Sequence, residues 1–577
     1  MEPSCLKNAL LPLKESSKAA IADAVSDKFD DVKAYLHLTR NIDYELLRIL
    51  EKAKDSSRKQ LILVCGNVGD GKSHVISYLQ REWTGLQSDF KIHDDATESS
   101  HPKRTFLDEL YDLLEPFEDT KLDSGQARLI LAINLGTLNN FLVDDNGRRF
   151  SCLGDYVKRK RIFEIGMIVD NMFDSDSSFQ HVNFCDHNLF VLSPDGPKST
   201  LIEDAIKNVV NPSNDNPFYK AYEKHKKNHP ANCPVHYNFE LLQSPEIRSQ
   251  ISDLLIECIV RNHLIISIRA LYNFIYDLIV PVDLSSISCD EAIKRIENYS
   301  EDDFLKAIIP NYIFDHPELS SIFAQLQAFD PATKRSAELD NCVIELMVSA
   351  DKEAIFTRYL PLEKVGKVFH SALKKLKDEK DSVIVSTFIR SAFFWEGQVR
   401  FGLHDDLYHN FMRSLYGWYS GDTRSLKPVY KLIQHTITNW FGMCPDGHIN
   451  LEVGRQQLKY RISEVVQTLP APLPALISSD DDIKRFQLYL PLCFRNDGKT
   501  ITLDTNYRLF DLACKMKEGY CPTRKDHGDF VHFSKFIESV SEVGEARECI
   551  HFSEANGKRY VLELDTFGDF CFKVVQI

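Results

Sequence analysis

Across 577 residues no apolar run is long enough to span a bilayer without interruption. The most apolar stretch, LIISIRALYNFIYDLIVP (264–281), is broken by Arg269 and Asp277 and reads as a buried helix. The N-terminal MEPSCLKNALLPLKES lacks the basic start and apolar stretch of a signal peptide, so none is expected. A cysteine framework is missing too. The 14 cysteines are scattered from Cys5 to Cys571, and even Cys514 and Cys521 are spaced too widely for a CxxC pair. Scattered thiols in so long a chain point to a reducing cytoplasm, with no membrane partner. Gly 24 and Pro 23 are too few for a linker protein, and no internal repeat is evident. Basic excess is also absent. Lys and Arg number 69 against 84 Asp and Glu, a formal charge of −15, so nucleic acid would require a local basic surface or a basic partner. What remains is a globular composition, 43% hydrophobic and 27% charged, long enough for about three to four domains of roughly 150 residues.

Hydrophobic periodicity divides the chain. Residues 1–58 read as helical, with apolar positions at helical spacing in IDYELLRIL (42–50). Then Leu61 to Cys65 forms a continuous apolar run, the pattern of a strand buried on both faces. Further strand-like runs are DFKIH (89–93), LILAIN (129–134) and NLFVLS (188–193), with helical stretches such as 106–114 between them. That alternation predicts a parallel α/β sheet with crossover helices. The expected fold is an α/β P-loop NTPase domain with a helical lid over 59–285, then a largely helical region over 286–474. A small C-terminal α+β domain is expected over 475–577, where RECIHF and RYVLELDTF flank a hairpin turn at Asn556-Gly557.

The chemistry concentrates in Gly66-Asn67-Val68-Gly69-Asp70-Gly71-Lys72-Ser73, which fits GxxxxGK[ST] between an apolar strand and an amphipathic helix. Glycines let successive backbone N–H groups wrap around phosphate oxygens, and the helix adds the positive end of its dipole. Lys72 is expected on the β- and γ-phosphates and Ser73 on Mg²⁺, with His74 completing the nucleotide-contacting run. The alternative is a glycine-rich turn that only joins strand to helix.

Such a loop needs an acid for the metal. Asp95, with Asp94 before it and Glu98 close by, ends a strand expected beside the loop strand. The competing reading is a turn in which Asp95 or Thr97 caps the next helix. Asp170, after IGMIV, is a further candidate. LILAIN ends in Asn134, which suits a sensor of the γ-phosphate or the attacking water, or simply a polar strand end. Arg269 heads an apolar helix and is expected to reach a γ-phosphate from the lid, against the plainer role of a surface arginine. His225, His229, Cys233 and His236 supply four N/S atoms without a framing CxxC, which leaves metal binding open. Lysines among an apolar stripe at 364–377 read as a solvated helix face, with phosphate or an acidic partner as the alternative. The aromatic clusters at 391–401 and 416–422 read as core.

Four segments taken together, CGNVGDGKSHVISYL, FKIHDDATESS, LILAINLGTLNNFL and LIISIRALYNFIYDLIVP, resemble the F subunit of the DNA phosphorothioation-dependent restriction system, the DptF/DndF family. Chain length and block order fit, and the likeness is less specific after about residue 440. The resemblance implies a bacterial ATPase subunit that uses ATP and Mg²⁺ and works with the G and H subunits of the same system. Together they would restrict double-stranded DNA that lacks the sulfur-for-oxygen backbone mark. By match, residues 66–73 would bind nucleotide and Asp95–Ser99 would lie beside them. No PD-(D/E)xK or HNH pattern is present, so cleavage by this chain alone is not expected. Two other readings of the residues stay open: a nucleotide-gated scaffold with little hydrolysis, and a P-loop kinase.

Overall fold

The computed structural model describes residues 5–14, 31–67, 69–94, 105–163, 172–228, 230, 232–360, 382–422, 424–442, 448–451, 460–465, 468–471, 481–496, 499–542, 549–554 and 558–575. The chain forms two compact units, one of residues 1–191 and 197–404, the other of 192–196 and 405–577.

In the first unit, helix α1 (Asn41–Lys54) leads into strand β1 (Gln60–Cys65), which is buried along its whole length. Helix α2 (Lys72–Glu82), strand β2 (Lys91–His93), helix α3 (Phe106–Leu114), strand β3 (Arg128–Ile133), helices α4 (Leu135–Val143) and α5 (Ser151–Arg159) and strand β4 (Phe179–Asn183) follow. The four strands make one parallel sheet in the order β2-β3-β1-β4. Strand alternation then builds two cores. Leu61, Leu63 and Cys65 face α3, α4 and α5, packing with Leu110, Phe141, Leu153 and Tyr156. Ile62 and Val64 face α1 and α2, packing with Leu46, Leu50, Val75 and Ile76. Each such side chain taken fully out of water contributes about 1.5–3 kcal/mol. The continuous apolar run of β1 is therefore a consequence of helices on both faces.

Two strand expectations need correction. NLFVLS is a strand (His187–Ser193) but lies outside the parallel sheet, and the fourth place is taken by β4, FQHVN. The strand that precedes Asp94, β2, is not beside β1, because β3 stands between them.

After these strands the first unit is mainly helical, including Thr200–Val210, Pro217–Asn228, Pro234–Leu241, Pro245–Asn262 and α6 (Ile268–Ile279). Farther along, Arg390 in Ser382–Arg400 is buried and donates to Asp315, Asp330 and the Asn311 carboxamide oxygen. Phe393, Phe394 and Phe401 are core residues, and in the second unit so are Trp418 and Tyr419. The second unit holds helices such as Asp406–Ser420 and Lys427–Asn439 with antiparallel sheets, so its α+β character begins well before 475. Cys549–Glu554 pairs antiparallel with Arg559–Leu564, the expected hairpin; Asn556 and Gly557 lie outside the described residues. Among the described residues no helix is long and apolar enough to cross a membrane.

Candidate functional site

Direction reverses at the middle of the sheet. The helix leaving β1 packs on one face and the helix leaving β3 on the other, so the carboxyl ends of these adjacent strands open a crevice. In open α/β sheets that is where ligands bind. Gly66, Asn67 and residues 69–73 form one wall and Asn134 stands on the other, since Cys65 and Ile133 are paired across β1 and β3.

The turn is shaped by close approach. A Cβ on Gly66 would come within 2.8 Å of Phe184 Cβ, so a larger residue would collide with the turn that follows β4. Gly71 caps α2 at φ +90°, the left-handed region that glycine adopts without a Cβ clash. The Lys72 ammonium donates to the carbonyls of Gly66 (3.1 Å) and Asn67 (2.6 Å). An ammonium carries three donors, and two of them brace the start of the turn against the first turn of α2. Asp70 Oδ2 accepts from the Asn67 N–H at 2.6 Å. Burial pushes the Asp70 carboxyl above the usual range, opposed by that hydrogen bond and by Lys72 and Arg40. The first N–H groups of α2 have no intrahelical acceptors, and they lie at the positive end of the helix dipole. Chemically this is a cradle for an anion.

Other expected residues fall around it. Ser73 Oγ donates to the Asp94 carbonyl at 3.0 Å, so the end of β2 reaches the loop although a strand intervenes. Val68, Asp95, Glu98 and Asp170 lie outside the described residues, as does the basic stretch 364–377. Asn134 caps α4, its Oδ1 accepting from the Thr137 N–H at 2.6 Å. Arg269 is exposed in the first turn of α6. That helix does approach the loop: a Cβ on Gly69 would come 3.2 Å from Ser267 Cβ, and Ser267 caps α6 through the Ala270 N–H.

Sequence reasoning missed the residues beneath the loop. Arg40 Nη1 donates to the Asp70 carbonyl at 2.9 Å, and its guanidinium lies 4.7 Å above the Phe184 ring. Asp43 accepts from the Arg40 N–H at 2.7 Å and sits 3.7 Å from both Arg40 Nη2 and His37 Nε2. The His37 ring stacks on Tyr78 at 3.6 Å and shares a hydrogen bond with His74, 3.1 Å between Nδ1 and Nε2. Nothing in the spacing of LHLTRNID (36–43) signals this; the one local trace is an acid three residues after Arg40 at a helix start.

No protein-family model, no curated protein and no solved structure matches the chain.

Of the four possible metal ligands, His225, Cys233 and His236 come together, buried, with ligand atoms within 4.8 Å of one another; His229 lies outside the described residues. The Leu6 N–H donates to His225 Nδ1 at 3.2 Å, and Nε2 faces Cys233 Sγ at 3.7 Å. A neutral imidazole that accepts at Nδ1 carries its proton on Nε2. His225 therefore presents a donor to the sulfur, and coordination through Nε2 would require that proton and the Leu6 bond to be given up. Burial pushes the Cys233 thiol up to about 11, which keeps it protonated.

Proposed function

We propose that this chain is a P-loop ATPase subunit that binds ATP with Mg²⁺ at residues 66–74. The observation that carries the reading is the Lys72 ammonium braced on the Gly66 and Asn67 carbonyls at the N-terminus of α2, inside the crevice. The residues suit the ligand. Backbone N–H groups and Lys72 would hold phosphate oxygens, and the Ser73 hydroxyl, with an acid of the Asp94–Asp95 segment, would hold the metal. Bound ATP would supply the phosphoanhydride whose hydrolysis drives change elsewhere. Asn134 would orient the terminal phosphate or water, and Arg269 would report it to the helical region. On the resemblance stated above, the subunit would work with G and H partners to restrict double-stranded DNA lacking phosphorothioate.

One observation favours a second reading, a nucleotide-gated scaffold with little hydrolysis. The Asn134 carboxamide oxygen is already committed to capping α4, which leaves fewer groups to activate water.

The test is Lys72→Ala, measured by isothermal titration with Mg–ATP and by phosphate release. Losing a phosphate-binding ammonium removes roughly 1.5–3 kcal/mol per charge-assisted bond, so affinity should fall about 10- to 100-fold. Unchanged affinity and turnover would rule out the nucleotide site. Binding without phosphate release in the wild type would select the scaffold. Asp95→Asn is expected to slow hydrolysis at least about tenfold by depriving the metal of charge. Should only Asp170→Asn do so, the metal acid is Asp170.

A further inference from the structure

We propose that Arg40 is the positioning residue that fixes the Asp70–Gly71 peptide so that the Gly71 N–H points into the anion cradle. This rests on the nucleotide reading and adds a residue 30 positions ahead of the aspartate it holds, in a segment outside the GxxxxGKS element.

The peptide plane carries the inference. Within a trans peptide the carbonyl and the following N–H point in opposite directions, and the plane is rigid. Arg40 Nη1 holds the Asp70 carbonyl at 2.9 Å, so the Gly71 N–H is turned away from Arg40. Arg40 also fills the space on its own side: Nη2 stands 3.3 Å from the position a Gly71 Cβ would take. The N–H left on the far side has no backbone acceptor among the described residues, as a donor reserved for a ligand should. Glycine at φ +90° would tolerate the flipped peptide nearly as well, so something outside the turn must select one orientation.

Arg40 is itself held on three sides. Its guanidinium lies on the Phe184 ring, Asp43 accepts from its backbone N–H, and the same carboxylate neighbours Nη2. Its side chain is 14% exposed. A lysine at this position could reach one carbonyl but could not lie flat on the ring while facing Asp43. The loop is thus held by two cations on different carbonyls, Arg40 on that of Asp70 and Lys72 on those of Gly66 and Asn67.

The experiment compares full-length wild type, Arg40→Ala, Arg40→Lys and Lys72→Ala by Mg–ATP titration, each with a thermal melt. Arg40→Ala should bind Mg–ATP about tenfold more weakly, the size of one lost charge-assisted hydrogen bond. Guanidinium ion at low, non-denaturing concentration should recover most of that loss, which a purely structural defect would not allow. Arg40→Lys should fall between the two, and it carries the test if Arg40→Ala does not fold. Wild-type affinity in Arg40→Ala, with binding weakened about 10- to 100-fold in Lys72→Ala, would overturn the inference and leave the nucleotide site standing. A lower melting temperature with unchanged affinity would overturn it equally. Wild type that binds no Mg–ATP would remove both.

Discussion

The neutral state of His37 is imposed by its surroundings. Burial first, and the Arg40 guanidinium second, push its pKa from 6.5 down to about 4. Asp43 lies 3.7 Å away but does not reverse this, while His74 and the Tyr78 ring accept a neutral imidazole as partner. In the unfolded chain His37 takes up a proton below about pH 6.5, and in the folded chain only near 4. The folded state therefore binds fewer protons across that window, and its stability falls as pH drops from about 6.5 to about 4. Asp43 and Asp70, whose carboxyls burial pushes up, act in the opposite sense, gaining stability as pH falls. Comparison with His37→Gln isolates the histidine. Wild type should lose more melting temperature between pH 7 and 4 than the variant, and parallel curves would mean that His37 protonates freely in the fold. At this scale the sequence was only half legible. Lys72 and Ser73 stand at a fixed spacing to glycines, a pattern that sequence alone displays, and the structure puts them at the start of a helix that follows β1. Arg40 and His37 act through a carbonyl and a ring brought close by the fold, and no local pattern encodes that.

For elements, legibility followed burial. β1 and β3 are covered by helices on both faces and so read as continuous apolar runs. β4 is equally buried but carries Gln180, His181 and Asn183, which hid it. Those side chains are satisfied internally: Gln180 donates to Gln60 at 3.2 Å, and His181 shares a hydrogen bond with Tyr156 at 2.9 Å. Polarity in a strand is tolerated where each group finds a partner. Sheet order was not legible either, since a run of strands in sequence does not say that β3 will insert between β1 and β2. That insertion places Asn134 on the crevice, where the cap and the proposed sensor compete for one side chain. Substitution separates them. Asn134→Ala should cost about 0.5–2 kcal/mol in denaturant unfolding through loss of the cap. Asn134→Asp keeps a capping oxygen but removes the amide donors. It should unfold like wild type, and if the residue senses phosphate its ATP turnover should fall at least about tenfold. Asn134→Asp with wild-type turnover would leave the residue a cap and nothing more.

For the molecule as a whole, the change from helix to α+β was legible, but its position was not. Helical periodicity marks Asp406–Ser420 and Lys427–Asn439 as helices without saying that they join the core of the second unit. Charge is the global property with the most direct consequence. At −15 the chain repels a polyanion, and duplex binding strengthens only with the number of phosphates neutralised by Lys and Arg. The described surface does hold a local run, Lys158-Arg159-Lys160-Arg161, at the end of α5, with Arg159 3.5 Å from Asp174. Four cations, with Arg159 partly neutralised by Asp174, release few counterions. At about 150 mM salt, where exposed charges are screened beyond about 8 Å, that is too little for tight binding. The isolated chain should bind duplex DNA in the range of non-specific contacts, with a Kd of about 10⁻⁴–10⁻⁶ M, weakening steeply as salt rises. Partner subunits that supply basic surface should tighten it. A mobility-shift titration of the purified chain decides: nanomolar, partner-free binding would mean that its cations converge on one surface, and the chain would then engage DNA directly.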